Sequence, residues 1–256
     1  MKTEDRSISE RATALLLDTE AKLKAVKVCF AVPSYDGKVC VQFLHSFAIT
    51  ISMLQAYGIT WNLTIVQGDC YVARARNELA SNFLRTDFTH LFFIDSDMGW
   101  DPAAVIKLLA RDKDLILGAY HLKNDGKVKK YVVEPIIPEI AEGGAFRVIS
   151  GPTGFMCVRR NVFARIATAF PNLLYSNDKG RDEYAFFHCS LRKIAGAEKN
   201  SWYGEDIDFC HKWVSLGGEI WCEPDINFDH VGQKVWTCNL ASDLKIANIV
   251  SEGVAA

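Results

Sequence analysis

The stretch "THLFFIDSDMGWDP", residues 89–102, decides the fold. Residues 89–94 favour a strand, and an apolar run of this kind is typical of a strand buried inside a sheet. The strand ends in two aspartates, Asp95 and Asp97, separated by one serine. Because carboxylates at the end of a buried strand are costly unless a cation meets them, we expect a cationic partner at this edge of the sheet.

Strands and helices alternate around this stretch from residue 26 to residue 120, the pattern of a mainly parallel sheet with helices on both faces. In such sheets ligands bind beyond the carboxyl ends of the strands, where Asp95 and Asp97 fall. The predicted strands are 26–34, 61–66, 89–94 and 114–120. The predicted helices are 41–57, 72–85 and one that begins with Asp101 as its N-cap and Pro102 as its first residue.

The second half of the chain has a more mixed pattern. Short strands are predicted near 131–133, 145–149 and 155–158, helices over 160–168 and 206–216, and a loop over 171–182. We find no repeat, low-complexity tract or linker, so one domain is predicted. We expect a peripheral helical extension in residues 1–25 (helix 7–24), a single domain over 26–236 with halves 26–120 and 121–236, and a tail over 237–256.

The composition is that of an ordered globular protein, with 49% hydrophobic and 23% charged residues. A net charge of -2 argues against a general attraction to nucleic acid or anionic lipid. The eight cysteines form no CxxC pair and mostly lie in apolar runs, as expected of buried thiols in a reducing compartment. With neither a signal peptide nor an apolar run of about 20 residues, we expect no membrane span and a cytoplasmic location, in the host cytoplasm if the source is viral.

The pattern D-x-D at a strand end suits a hard divalent cation, because Mg²⁺ and Mn²⁺ prefer oxygen ligands and are often completed by phosphate oxygens. A turn or a helix cap explains D-x-D equally well when it stands alone. A second acidic cluster, "GEDID" at 204–208, opens a predicted helix, where each acid could simply stabilise the helix N-terminus. His230 follows in "FDHVG", and a lone histidine is more often structural than a ligand.

Six segments in this order resemble the GT-A-fold glycosyltransferases, in particular family 2-like, DxD-containing members, which take a sugar from a nucleotide-sugar donor. The similarity runs from about residue 26 to about residue 232. The segments are "AVPSYDG" (31–37), "ARARNELASNFL" (73–84), "FFIDSDM" (92–98), "GPTGFMCVRRNVF" (151–163), "YGEDIDFCHKW" (203–213) and "FDHVG" (228–232). The resemblance implies a single α/β domain, Rossmann-like, with a mainly parallel central sheet flanked by helices.

The resemblance also implies roles for individual residues. Asp97 and His230, with Asp95, are expected to bind Mn²⁺ or Mg²⁺. Asp206 is expected to be the base that deprotonates the acceptor hydroxyl, with Glu205 orienting the base or the acceptor. Donor contacts are implied for Pro33, Ser34, Tyr35, Asp69, Arg74, Arg76, Asn77, Asp95, Ser96 and Gly154.

These roles predict a metal-dependent glycosyltransferase that uses a UDP-sugar and inverts the anomeric centre. The acceptor is a glycan, a small molecule or a hydroxymethylated base in DNA. A retaining enzyme of the same fold, a sugar nucleotidyltransferase and a non-catalytic nucleotide-sugar-binding module remain alternatives. The sequence does not indicate the oligomeric state.

Overall fold

The structure is a computed structural model that describes residues 23–124, 130–140, 144–193 and 198–244. The predicted helix over 7–24 lies outside these ranges except for its last two residues, and so does the predicted tail beyond residue 244. Within the described ranges no helix is both long enough and apolar enough to cross a membrane.

The strands differ in length and number between the two halves of the chain. They are β1 (Lys27–Ser34), β2 (Thr60–Gln67), β3 (His90–Ile94), β4 (Met98–Trp100), β5 (Leu115–Gly118), β6 (Glu134–Ile140), β7 (Phe146–Ser150), β8 (Phe155–Arg159), β9 (Leu174–Ser176), β10 (Asp182–Tyr184), β11 (Ser190–Lys193), β12 (Asn200–Tyr203), β13 (Ile220–Glu223), β14 (Phe228–Val231) and β15 (Val235–Cys238).

The helices are interspersed with these strands. They are α1 (Val41–Ala56), α2 (Val72–Leu84), α3 (Ala104–Ala110), α4 (Arg160–Ala169), α5 (Glu205–Ser215) and α6 (Leu240–Leu244), with a short 3₁₀ helix at Pro171–Leu173. Helix α1 begins after Cys40, whose sulfur accepts a hydrogen bond from the Phe43 N–H at 3.3 Å. It ends before Gly58, whose φ of 68° is a conformation that glycine adopts without steric cost.

One eight-stranded sheet, in the order β2-β1-β3-β8-β5-β13-β7-β6, forms the centre of the molecule. Strand β1 is parallel to β2 and β3, and β13 is parallel to β5. Strands β8 and β7 are antiparallel to their neighbours on both sides, so the other six strands share one direction. The predicted fold class is confirmed: this is a Rossmann-like α/β domain with a mainly parallel sheet flanked by helices.

Both faces of the sheet are buried, as strand β3 shows. Leu91 and Phe93 face a layer that contains α2, α4 and α5, whereas Phe92 and Ile94 face a layer that contains α1 and α3. All four side chains have no exposed surface. Because successive side chains of a strand point to opposite faces, a strand buried on both sides must be apolar throughout. This explains the unbroken apolar sequence before Asp95.

A second, three-stranded sheet in the order β15-β14-β4 was not predicted, and it brings the end of the chain to the D-x-D segment. Strand β14 pairs antiparallel with β4, with His230 opposite Met98. The Val231 N–H also donates a hydrogen bond to the Asp97 carbonyl at 2.8 Å. This pairing places His230 beside Asp97 across more than a hundred residues of sequence.

The predicted start of helix α3 is wrong. The helix begins at Ala104 with Ala103 as its N-cap residue, two positions later than predicted. Asp101 instead continues the line of β4, because its N–H donates to the Asn227 carbonyl at 3.1 Å. Asp101 and Pro102 therefore form a turn that leads into the helix.

Two further predictions need correction. The strand expected near 131–133 lies at Glu134–Ile140, and the loop expected over 171–182 contains strand β9 and the start of β10. These two strands form a hairpin around the buried carboxylate of Glu183, which accepts hydrogen bonds from the Tyr175 hydroxyl and the Asn177 amide, both at 2.6 Å. A hairpin held by polar contacts leaves no apolar alternation in the sequence.

A fully buried carboxylate, Asp208, fastens helix α5 to the β11–β12 hairpin. It accepts hydrogen bonds from the Ser190 hydroxyl at 2.6 Å, from Arg192 Nη2 at 2.5 Å and from the Lys212 ammonium. His188 Nε2 lies 3.3 Å from Asp208 Oδ2, the oxygen that also accepts from Lys212. Burial of this charge is offset because each of its oxygens meets a cation or a donor.

Asp208 should make stability depend on pH in the acid range. Burial raises the pKa of Asp208, but the bonds from Lys212, Ser190 and Arg192 outweigh it, so the pKa falls below its ordinary 3.8. The stabilisation is then complete above the unfolded pKa and is lost as pH falls through the folded value. We expect Asp208→Asn to lower the free energy of unfolding by about 3–5 kcal/mol at pH 7, because Lys212 and Arg192 lose their counter-ion.

Urea denaturation at pH 7 and near pH 3 checks this expectation. The difference between variant and wild type should shrink at the lower pH. The exposed Asp178→Asn is the matched control and should leave stability unchanged. An equal loss for Asp208→Asn at both pH values would contradict the assignment.

Candidate functional site

The carboxyl ends of β1, β2 and β3 open onto one cleft of about 230 Å³. Most of the residues that line the cleft are predicted donor contacts, and they come from three separate segments of the chain. The lining consists of Pro33, Ser34, Tyr35, Asp69, Asp95, Ser96 and Asp97, together with Cys70, Val72 and Ala75.

Arg76, on α2, is the cation that meets Asp95. The Arg76 side chain is 6% exposed. Its Nη2 donates to Asp95 Oδ1 at 2.9 Å, and its Nη1 donates to Glu205 Oε1. Burial opposes the positive charge, yet the two carboxylates hold the pKa of Arg76 above its ordinary value. The group therefore joins α2, the end of β3 and the first turn of α5 through a charged contact.

Asp97 meets two different partners. Its Oδ2 is paired with the Lys123 ammonium and lies 3.9 Å from His230 Nε2. His230 Nδ1 lies 3.0 Å from the His121 carbonyl oxygen, which can only accept, so Nδ1 carries the hydrogen and Nε2 has a free lone pair. Burial, reinforced by Lys123, lowers the pKa of His230 despite its bond to His121, so the ring is neutral at pH 7.

Asp97 and His230 offer a carboxylate oxygen and an imidazole lone pair, and both groups could ligate a divalent cation that takes its other ligands from water and phosphate. Within the residues described, no three His, Cys, Asp or Glu side chains are grouped closely enough to hold a metal ion. Asp95, the third predicted ligand, is engaged with Arg76 instead. The structure thus brings together two of the three predicted metal ligands.

Glu205 and Asp206 occupy the first turn of α5, directly after Gly204. Glu205 accepts a hydrogen bond from Arg76, whereas Asp206 Oδ1 accepts a hydrogen bond from the N–H of Ile207 at 2.8 Å. Burial and the charge of Glu205 raise the pKa of Asp206, with Arg76 acting in the opposite direction. A carboxylate with a raised pKa is a better proton acceptor for catalysis near neutral pH than an ordinary one.

Position 154 has no room for a side chain, so it requires glycine. A Cβ atom at this position would lie 2.6 Å from Asp95 Oδ2 and 2.1 Å from the Tyr120 hydroxyl oxygen. Tyr120 is buried, and its ring centroid is 4.9 Å from that of His230. The absence of a side chain at Gly154 therefore allows both Asp95 and Tyr120 to lie close to the backbone at this position.

Two of the predicted donor contacts are used inside the protein. The Asn77 amide donates to the Phe187 carbonyl at 2.9 Å and accepts from the Phe187 N–H at 2.7 Å. The Ser34 hydroxyl donates to the Lys38 carbonyl at 2.7 Å. Both side chains are thus engaged by backbone groups of the protein itself.

Asp69 and Arg74 form an ion pair at the mouth of the cleft, with Arg74 Nε 2.5 Å from Asp69 Oδ2. Partial burial raises the pKa of Asp69, but the bonds from Arg74 and from the Tyr71 N–H outweigh it and the pKa is lowered. Arg74 Nη2 also donates to Asp69 Oδ1 at 3.0 Å, and the Arg74 side chain remains 61% exposed. Tyr35, which also lines the cleft, is 69% exposed.

Sequence reasoning missed Lys123 and Tyr120. Tyr120 follows β5, and its place at the carboxyl end of a strand was a usable signal. Lys123 lies in a segment without periodicity, and only the tertiary structure shows that it reaches Asp97. The β11–β12 hairpin beside α5 was also missed as an element; it exposes Trp202 (70%) opposite Leu191 (62%).

Comparisons with known proteins give structural likenesses only. No protein family and no curated protein matches the chain. Among solved structures, A197 from STIV is 18% identical with a TM-score of 0.46, over 81% of this chain and 86% of that chain. S. aureus TarS 1-349 in complex with UDP is 13% identical with a TM-score of 0.41, over 77% of this chain and 58% of that chain.

The inositol-1-phosphate CTP transferase from T. maritima is 11% identical with a TM-score of 0.38, over 78% of this chain and 90% of that chain. At these identities and TM-scores the likenesses carry no argument about the function of this chain.

Arg76 should be essential for stability as well as for the shape of the site. We expect Arg76→Met to lower the free energy of unfolding by about 3–5 kcal/mol, because Asp95 and Glu205 would be left without a counter-ion. Chemical denaturation measures the loss. Arg74→Met, which removes the same charge from an exposed side chain on the same helix, should cost far less, and equal losses for the two variants would contradict the role of Arg76.

Proposed function

We propose that the chain is a metal-dependent glycosyltransferase that moves a sugar from a UDP-sugar to an acceptor hydroxyl with inversion. The observation that carries the proposal is the cleft at the strand ends, where the Asp97–His230 pair stands beside the residues that line it. Arg76 links this cleft to Glu205, and Asp206 follows Glu205 directly in the chain.

The donor side of the reaction requires neutralisation of a diphosphate that gains negative charge as the glycosidic bond breaks. A divalent cation held by Asp97 and His230 would supply this as a Lewis acid. The neutral His230 offers Nε2 because its Nδ1–H is held by the His121 carbonyl, a typical arrangement for a metal-binding histidine. Tyr35 and Arg74, both exposed at the mouth of the cleft, are suited to the base and the phosphates.

The acceptor side requires removal of a proton from a hydroxyl group. Asp206 is our candidate for this base, since burial and the neighbouring Glu205 raise the pKa of its carboxylate. A positioned base of this kind contributes roughly 10²–10⁴ in rate. Glu205 is a positioning residue, because its carboxylate is held by Arg76. The acceptor is a glycan, a small molecule or a hydroxymethylated base in DNA.

Donor binding should depend on Asp97. We expect UDP with Mn²⁺ at a hundred times its dissociation constant to raise the melting temperature by roughly 5–10 °C, since mass action then stabilises the fold by about 2.7 kcal/mol. Asp97→Ala should abolish the shift, and the exposed Asp101→Ala should keep it. A full shift in Asp97→Ala would remove Asp97 from the site.

Catalysis should depend on Asp206 without a matching effect on donor binding. We expect Asp206→Asn to retain the thermal shift with UDP and Mn²⁺ while its acceptor-dependent release of UDP falls roughly 10²–10⁴-fold. The assay uses a UDP-sugar with a panel of glycans, small alcohols and hydroxymethylated DNA. Undiminished release by Asp206→Asn would exclude it as the base.

Product analysis separates the proposal from the alternatives. A sugar nucleotidyltransferase would release pyrophosphate from a nucleoside triphosphate, and a binding module would release nothing. A retaining enzyme would release UDP but would keep the anomeric configuration, which NMR of the product distinguishes. Only an inverted product and acceptor-dependent UDP release together agree with the proposal.

A further inference from the structure

The Asp97 carboxylate already has a cation on the oxygen that faces His230. Lys123 Nζ pairs with Asp97 Oδ2, and His230 Nε2 lies 3.9 Å from that same oxygen. The Lys123 side chain is 29% exposed and that of Asp97 40%, so the pair lies at the cleft surface and not in the core. An ammonium ion therefore stands where a metal held by Asp97 and His230 would have to approach.

The surrounding backbone accommodates Lys123 in this position. A Cβ atom at Gly232 would lie 3.1 Å from Lys123 Cδ, so the lysine stem packs closely over a residue without a side chain. The Leu122 N–H donates to the Lys130 carbonyl at 3.0 Å. The His121 carbonyl, two residues before Lys123, holds His230 Nδ1. One short segment thus positions both the lysine and the histidine at Asp97.

We propose that Lys123 is an exchangeable counter-ion of Asp97, which competes with the divalent cation when no donor is bound and contacts the diphosphate when metal and donor bind. The inference rests on the proposed function and extends it to a further positioning residue. An ammonium and a divalent cation repel each other, so they do not share one carboxylate oxygen without cost. The flexible lysine stem allows the ammonium to turn to the nearest new anion, a nucleoside diphosphate.

Two titrations test this role through binding alone. In the first, Mn²⁺ is added without nucleotide and free Mn²⁺ is measured by EPR. We expect Lys123→Met to bind Mn²⁺ roughly two- to five-fold more tightly than wild type, the range in which a partly exposed ion pair competes. Asp97→Asn should bind Mn²⁺ much more weakly than either.

In the second titration, UDP is added at saturating Mn²⁺ and its affinity is measured by calorimetry. Lys123→Met should now bind UDP several-fold more weakly, because the ammonium is missing from the diphosphate. The two affinities move in opposite directions, which a merely structural lysine would not produce. Lys123→Arg, which keeps the charge, should stay within about twofold of wild type in UDP affinity.

Lys130→Met is the matched control, because it removes a charge from an exposed lysine of the same region and should change neither affinity. Thermal melting of each variant confirms that it is folded. If Lys123→Met changes neither affinity, or moves both in the same direction, the role of Lys123 is overturned while Asp97-dependent UDP binding still supports the proposed function. If wild type binds no UDP, the proposed function fails, and the Mn²⁺ titration alone still decides whether Lys123 competes with the metal.

Discussion

The buried guanidinium of Arg76 organises the cleft side of this fold. Two carboxylates from distant parts of the chain, Asp95 at the end of β3 and Glu205 at the start of α5, converge on it. Arg76 is nearly inaccessible and both carboxylates are partly buried, so each charge loses hydration that its partner offsets. The ion pairs therefore hold the carboxyl end of β3, helix α2 and helix α5 in one arrangement, and the shape of the cleft depends on this arrangement.

The two aspartates of the D-x-D segment differ in how their charges are balanced. Asp95 pairs with Arg76, a nearly inaccessible arginine whose displacement would leave Asp95 and Glu205 without a counter-ion. Asp97 instead pairs with Lys123, a partly exposed lysine on a flexible stem. A rigid pair suits a structural role, and a labile pair leaves a carboxylate available to another cation. Two carboxylates only two residues apart thus differ: Asp95 is held in a nearly inaccessible ion pair, and Asp97 in a partly exposed one.

The site shows how far side-chain chemistry can be predicted from residue types. Asp97 and His230 were expected together, and the pairing of β14 with β4 places them together. Asn77 was expected at the donor, but its amide nitrogen and oxygen both bond to the backbone of Phe187, 110 residues away in the sequence. Lys123 was not expected at all. Hydrogen bonds between distant segments leave no periodic pattern, so residue type alone could not assign these partners.

The alternation of strands and helices up to residue 120 by itself determined the Rossmann-like architecture, because a strand buried on both faces must be apolar and a helix beside it must be amphipathic. The tertiary structure alone decided that β8 enters the sheet antiparallel, that the polar β9–β10 hairpin forms, and that β14 returns to the D-x-D segment. It also decided which cation meets each aspartate. Those outcomes depend on charges and backbone groups that become neighbours only after folding. Because these groups are far apart in the sequence, the sequence pattern does not show that they interact.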